Sequence, residues 1–337
     1  ETGRVARNVF EGLTYHSSVD LEVLPGMARS WDLSPDGRTY TFHLRPAVWS
    51  DGVPLTAHDF VYAWERVLNP ATAAKYATML YPIDNAEAYN KGELTGSARL
   101  GFRVENDSTL VVRLHSPCAY FLDVCAFYTL LPVPRHVVER HGPRWIKPGH
   151  IVSNGAFTLD EWRLNDRMVY GKNPRYWNAD NVALEVAVSL ASENLNASFN
   201  LYMSGVADWG DASAVPLFVV PELKQRADFH TAPYIATYFY RFNVTRPPFD
   251  DVRVRKAFFL ATNRRDITDY VVRAGQEPAH SLVPPGLAGY TEVRLPEPDV
   301  DEARRWLAEA GYPGGKGFPE VELLFNTSES HKQIAEV

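Results

Sequence analysis

The residues best suited to chemistry are tested first. His136-Val137-Val138-Glu139-Arg140-His141 sets an acid between two histidines, the ingredients of a zinc hydrolase helix. Zinc helices space their histidines at i and i+4 so that both rings meet one ion. Here the interval is five, which turns the second ring off that face, so neither metal nor cofactor is expected. Cys118 and Cys125 are the only cysteines. If the stretch is helical they stand ~10 Å apart along the axis, at ~1.5 Å per residue. A disulfide needs Cα atoms within ~7 Å, so two buried free thiols are expected. The chain has no Gly-x-Ser-x-Gly elbow and no glycine-rich phosphate loop. No two acids are marked by context as the acid and base of glycoside cleavage. Asn-x-Ser/Thr sequons at Asn106, Asn196, Asn243 and Asn326 carry no weight. No catalytic residue is assigned.

Composition points instead to binding. The 337 residues allow two or more domains, each with its own core. A net charge of −7 argues against nucleic acid, since phosphate recognition needs a basic surface. No run of ~18 uncharged apolar residues could span a bilayer. The opening Glu1-Thr2-Gly3-Arg4 lacks the apolar core of a signal peptide, which says nothing of the protein's address. Seventeen Tyr, 17 Phe and 8 Trp exceed what ordinary cores need, and a surplus of rings suits clefts.

Local signals place the elements. Asp36-Gly37 is a hairpin turn leading into a strand at 39–45. Thr56 caps a helix, with Asp59 completing a near capping box. Phe60, Val61, Trp64, Val67 and Leu68 are its apolar positions, and Asn69-Pro70 ends it. A strand pair is expected at 100–105 and 109–115. Prolines at 132, 134, 143 and 148 mark a crossing between domains. Strands follow at 166–171 and 183–190, and a helix at 193–203 stops before Gly205. Residues 236–243, Ala-Thr-Tyr-Phe-Tyr-Arg-Phe-Asn, read as a strand with Phe239 and Arg241 on one face and Tyr238 and Tyr240 on the other. Helices at 251–261 and 298–310, a strand at 321–325 and a helix start near Ser330 close the chain. Strands and helices without a regular βαβ rhythm indicate a mixed α/β (α+β) fold.

These landmarks, in order, resemble the family 5 extracellular solute-binding proteins, and within them the oligopeptide-binding proteins of bacterial ABC permeases. The resemblance rests on Phe10-Glu-Gly-Leu13, Tyr40-Thr-Phe-His-Leu-Arg45, Trp49-Ser-Asp-Gly52 and Thr56-Ala-His-Asp-Phe-Val-Tyr-Ala-Trp64. Pro132-Val-Pro134, Ile151-Val-Ser-Asn-Gly-Ala-Phe157 and Asn173-Pro-Arg-Tyr-Trp177 continue it. Pro247-Pro-Phe-Asp-Asp-Val-Arg-Val-Arg255 and Leu324-Phe-Asn-Thr-Ser328 complete it. It implies a bilobed periplasmic-binding-protein fold of the class II, cluster C type with three domains. Residues 1–13 and 135–235 would belong to domain I, 14–134 to domain II and 236–337 to the start of domain III. It also implies a truncated chain, lacking the N-terminal strand and the later part of domain III, and so a weak peptide binder by itself.

The implied function is the extracytoplasmic substrate-binding component of an ABC importer, a monomer that captures oligopeptides and delivers them to the permease transmembrane subunits. Its place would be periplasmic or on the cell surface, with a lipid anchor possible in the full-length protein. The alternatives are a peptide-sensing or chaperone-like surface protein, or a relative binding a nickel chelate, haem or opine. By resemblance, Tyr76 touches ligand from domain II, and Asn326 and His331 from domain III, with His331 toward the peptide carboxylate. Phe239 faces the cleft, and Trp209 and Asp211 lie where domain I lends polar groups, although the core is the first reading of Trp209. Arg241 stands where the oligopeptide proteins commonly carry a glutamate, which implies a preference for acidic peptides. Ala236 replaces a family cysteine, so that bridge cannot form.

Overall fold

The computed structural model describes every residue except 1, 212, 213, 232, 233, 286, 288, 289 and 292. The chain divides into two compact units, residues 1–191 and 192–337.

In the first unit α1 (Thr2–Val9) leads to a short hairpin, β1 (Thr14–His16) and β2 (Val23–Pro25). Strands β3 (Ala28–Leu33) and β4 (Thr39–Leu44) then join across the expected Asp36-Gly37 turn. Asp36 accepts from the Arg38 amide at 3.1 Å, and Gly37 sits at φ +68°, where a side chain is disfavoured. The alternation of β4 buries Tyr40, Phe42 and Leu44. Helix α2 (Ala57–Leu68) starts as read: the Thr56 amide donates to the Asp59 carboxylate at 2.9 Å. Its buried face of Phe60, Ala63, Trp64 and Leu68 repeats at helical spacing. Fully buried Trp64 meets Phe102 edge-on at 5.5 Å, and its indole N–H donates to the Leu130 carbonyl at 2.9 Å.

Helix α3 (Ala86–Asn90) precedes β5 (Phe102–Asn106) and β6 (Thr109–Arg113), which complete an antiparallel sheet of order β3-β4-β6-β5. Helices α4 (Phe121–Cys125) and α5 (Arg135–His141) come next. Strands β7 (Phe157–Arg163), β8 (Arg167–Lys172) and β9 (Val186–Leu190) form a second antiparallel sheet.

Three of the segments that carry the resemblance, 10–13, 151–157 and 173–177, meet in this unit. The Asn154 side chain brackets Glu11, accepting from its amide at 3.2 Å and donating to its carbonyl at 2.9 Å. The Gly155 amide donates to the Val9 carbonyl at 3.0 Å, and a Cβ on Gly155 would lie 2.8 Å from the Phe10 nitrogen. Fully buried Asn173 donates to the Gly155 carbonyl at 3.0 Å. Trp177 donates to one Glu11 oxygen at 2.7 Å and Tyr176 donates to the other. The Arg45 guanidinium covers the Trp177 ring at 3.4 Å. Burial raises the Glu11 pKa, against the opposing pull of its two donors and Arg45.

The second unit is helical: α6 (Leu195–Met203), α7 (Val220–Leu223), α8 (Val252–Ala261), α9 (Arg264–Asp266), α10 (Val300–Glu309) and α11 (Glu329–Glu336). Asp251 caps α8, accepting from the Arg253 amide at 2.8 Å, and Gly311 follows α10 at φ +99°. Val254, Ala257 and Leu260 of α8 and Ala303 of α10 are buried. Beside them the rings of Phe242, Phe249, Phe258 and Phe318 pack in series, at centroid distances of 4.8, 5.3 and 5.7 Å.

Two expected strands are corrected here. Residues 236–243 and 321–325 form no ladder, and among the described residues of this unit there is no β-strand. Both are rich in β-formers, but a strand is fixed by hydrogen bonds to a neighbouring strand. The backbone groups of 237–243 make no backbone hydrogen bond among the described residues.

Candidate functional site

Tyr76 belongs to the first unit. It lies between two 3₁₀ turns, Pro70–Thr72 and Ala77–Leu80, and buried Ala77 and Leu80 anchor the backbone after it. The ring is 48% exposed and meets Phe127 edge-on at 5.5 Å and Tyr128 edge-on at 5.7 Å. Phe127 and Tyr128 lie 4.3 Å apart. Burial raises the Tyr128 pKa, and the neighbouring Tyr76 phenol adds to it.

The other candidates belong to the second unit. Tyr238 meets Tyr240 edge-on at 5.7 Å, and the Arg241 guanidinium lies 6.0 Å from the Phe239 ring centre. The i, i+2 alternation read from sequence therefore persists without a ladder. His331, in the first turn of α11, packs against Tyr238 at 4.9 Å. Tyr240 is pushed up to about 12 by burial, reinforced by the Tyr238 hydroxyl. Asn326 is exposed and accepts from the Ser328 amide at 3.0 Å, which shapes the turn entering α11.

Asp211 is half-buried. Trp209 is 77% exposed, which overturns its reading as a core residue. It sits in the irregular stretch between α6 and α7. Phe239 and Arg241 are also exposed.

The histidines tested for metal have other partners. His136 bonds to Asp51 at 2.7 Å, and His141 stacks on His150 at 4.2 Å. Among the described residues no three His, Cys, Asp or Glu side chains are grouped to hold a metal ion. Cys118 and Cys125 are free and buried, as expected, and burial raises the Cys125 thiol well above its ordinary range.

Sequence reasoning missed three neighbours of the candidates: Phe127, Tyr128 and the contact of Tyr238 with His331. The adjacent aromatics at 127 and 128 were a visible signal, but nothing in the sequence linked them to Tyr76.

Residues 22–337 match the family model for bacterial extracellular solute-binding proteins, family 5 Middle. The chain is 38% identical to the periplasmic oligopeptide-binding protein OppA of Escherichia coli (strain K12), over 98% of this chain and 62% of the relative. It is 35% identical to the same organism's "Probable deoxycholate-binding periplasmic protein YgiS", over 98% of this chain and 63% of that protein. The crystal structure of Haemophilus influenzae OppA in complex with RPPGFSPFR is similar with a TM-score of 0.88 and 36% identity, covering 99% of this chain and 67% of that one. The chain thus spans less than two thirds of the length of these curated relatives. Its mixed helices and sheets agree with the fold class read from sequence. Among the described residues no helix is long and apolar enough to cross a membrane. With a family model covering all but its first 21 residues, the chain belongs to the bacterial extracellular solute-binding proteins of family 5.

Proposed function

We propose that this chain is part of an extracytoplasmic oligopeptide receptor that serves an ABC importer, binding without turnover and passing peptide to permease subunits. The observation that carries this reading is the likeness of 99% of the chain to a protein crystallised with a peptide. The three-domain division given above, and the assignment of Tyr76, Trp209, Asp211, Phe239, Arg241, Asn326 and His331 to the ligand site, are part of the same proposal. A receptor for many sequences must hold what all peptides share. Main-chain groups and termini supply the affinity, and roomy subsites adapt to side chains. Exposed rings at Tyr76, Tyr238 and Phe239, with a cation at Arg241 and a titratable group at His331, are side chains suited to that task. Arg241 would favour peptides with acidic groups.

Native mass spectrometry of the natural gene product tests this directly. Co-purified peptides, and a rise in melting temperature when peptides are added, are expected. A second reading, a non-peptide ligand, draws on the similarity to the protein named for deoxycholate. Stabilisation by deoxycholate but by no peptide would establish that reading and overturn the first.

A further inference from the structure

The Tyr76 ring is half exposed, yet two adjoining rings brace it from one side. Phe127 and Tyr128 each meet it edge-on, at 5.5 and 5.7 Å. That geometry is favourable between rings and resists rotation of either partner. The brace is itself rooted in the core. The Phe127 amide donates to the Val124 carbonyl at 3.0 Å, and the Leu130 amide donates back to the Phe127 carbonyl at 2.9 Å. Leu130 is fully buried, and its carbonyl takes the Trp64 indole proton. On its other side Tyr128 lies under Gly3 of α1, where a Cβ would come within 3.1 Å of the ring carbons. The glycine lets α1 close over the phenol. The exposed ring is thus tied to α1 and to the buried face of α2 through Tyr128, Phe127 and Leu130.

An unbraced surface ring must give up rotamer freedom when a ligand packs on it, and a ring already fixed gives up little. We propose that Phe127 and Tyr128 are positioning residues for Tyr76, holding its open side as a preformed surface for an apolar side chain of the bound ligand. This rests on the peptide-receptor reading and specifies what its first-unit contact takes. The freedom saved corresponds to roughly three- to tenfold in Kd.

The test is a double-mutant cycle on the natural gene product, read by titration calorimetry with trialanine, Ala-Phe-Ala, trilysine and triglutamate. Tyr128→Leu keeps apolar volume and removes the ring edge. It should weaken Ala-Phe-Ala about three- to tenfold and trialanine less, while Tyr128→Phe, which keeps the ring edge and loses only the hydroxyl beside the Tyr76 phenol, should weaken it less than Tyr128→Leu does. In a Tyr76→Ala background, Tyr128→Leu should cost nothing further. A role confined to general folding would lower both backgrounds alike, and that outcome overturns the proposal, as does unchanged affinity in Tyr128→Leu. If Tyr128→Leu does not fold, Phe127→Leu takes its place in the same cycle. Binding of no tripeptide by the wild type sinks this inference together with the peptide reading, whereas binding with zero coupling sinks this one alone.

Discussion

Replacing Glu11 by alanine should be among the most damaging single changes in the first unit, although Glu11 is not itself a candidate ligand residue. Its carboxylate accepts from Trp177 at 2.7 Å and from Tyr176, in a site where burial already raises its pKa. Alanine leaves both donors without an acceptor, at about 1–3 kcal/mol each. Relief of the buried carboxylate's desolvation offsets part of that loss, so a net cost of about 2–4 kcal/mol is expected. In a unit of this size 1 kcal/mol moves the midpoint by about 2–4 °C. The first unit of Glu11→Ala should therefore melt roughly 10 °C lower by calorimetry. A fall of under 2 °C would refute the reasoning.

Glu11→Gln isolates the charge. The folded pKa of Glu11 lies above its ordinary value of 4.5, so the folded unit holds this proton more tightly than the unfolded chain does. The stabilisation is complete below the unfolded value and is lost as pH rises through the raised folded value. Glutamine keeps a carbonyl for Trp177 and cannot titrate. The mutant's melting temperature should therefore gain on the wild type as pH rises from about 4.5 towards neutrality. A difference that stays constant with pH would show that the carboxylate is not strained by burial.

Gly155→Ala should cost at least about 2 kcal/mol in denaturant unfolding, because the new methyl meets backbone at 2.8 Å, with no flexible side chain to yield. In a competition assay with acidic and basic tripeptides, Arg241→Glu should reverse their ranking by about fivefold each way. An unchanged ranking would remove Arg241 from the site. The preference should also weaken in 1 M salt, since Arg241 is exposed.

How much was legible depended on whether the stabilising contacts were local. Thr39–Leu44 and the Thr56 cap were read correctly because turn, alternation and capping box act within a few residues. Residues 236–243 were misread as a strand because their composition meets only half the requirement, and the other half is a neighbour. Yet alternation is a property of extended backbone itself. The pairing of Tyr238 with Tyr240 and of Phe239 with Arg241 was therefore still foreseeable. The ring contacts of Tyr76 with Phe127 and Tyr128, and of Tyr238 with His331, span too many residues for any local pattern to reveal.

The recognised motifs and the proposed ligand residues also do different physical work. Glu11, Asn154, Gly155, Asn173 and Trp177 spend their side chains or their lack of one on each other, closing the first unit. Truncating Glu11 or Asn154 strands hydrogen-bonding partners, and a methyl on Gly155 presses on backbone, so folding constrains these residue types. Tyr76, Phe239 and Arg241 leave much of their surface open, and changing one costs the fold little. Motifs that identify the scaffold thus say least about which ligand it holds. What distinguishes this chain from its relatives should therefore be sought in residues the family motifs leave free.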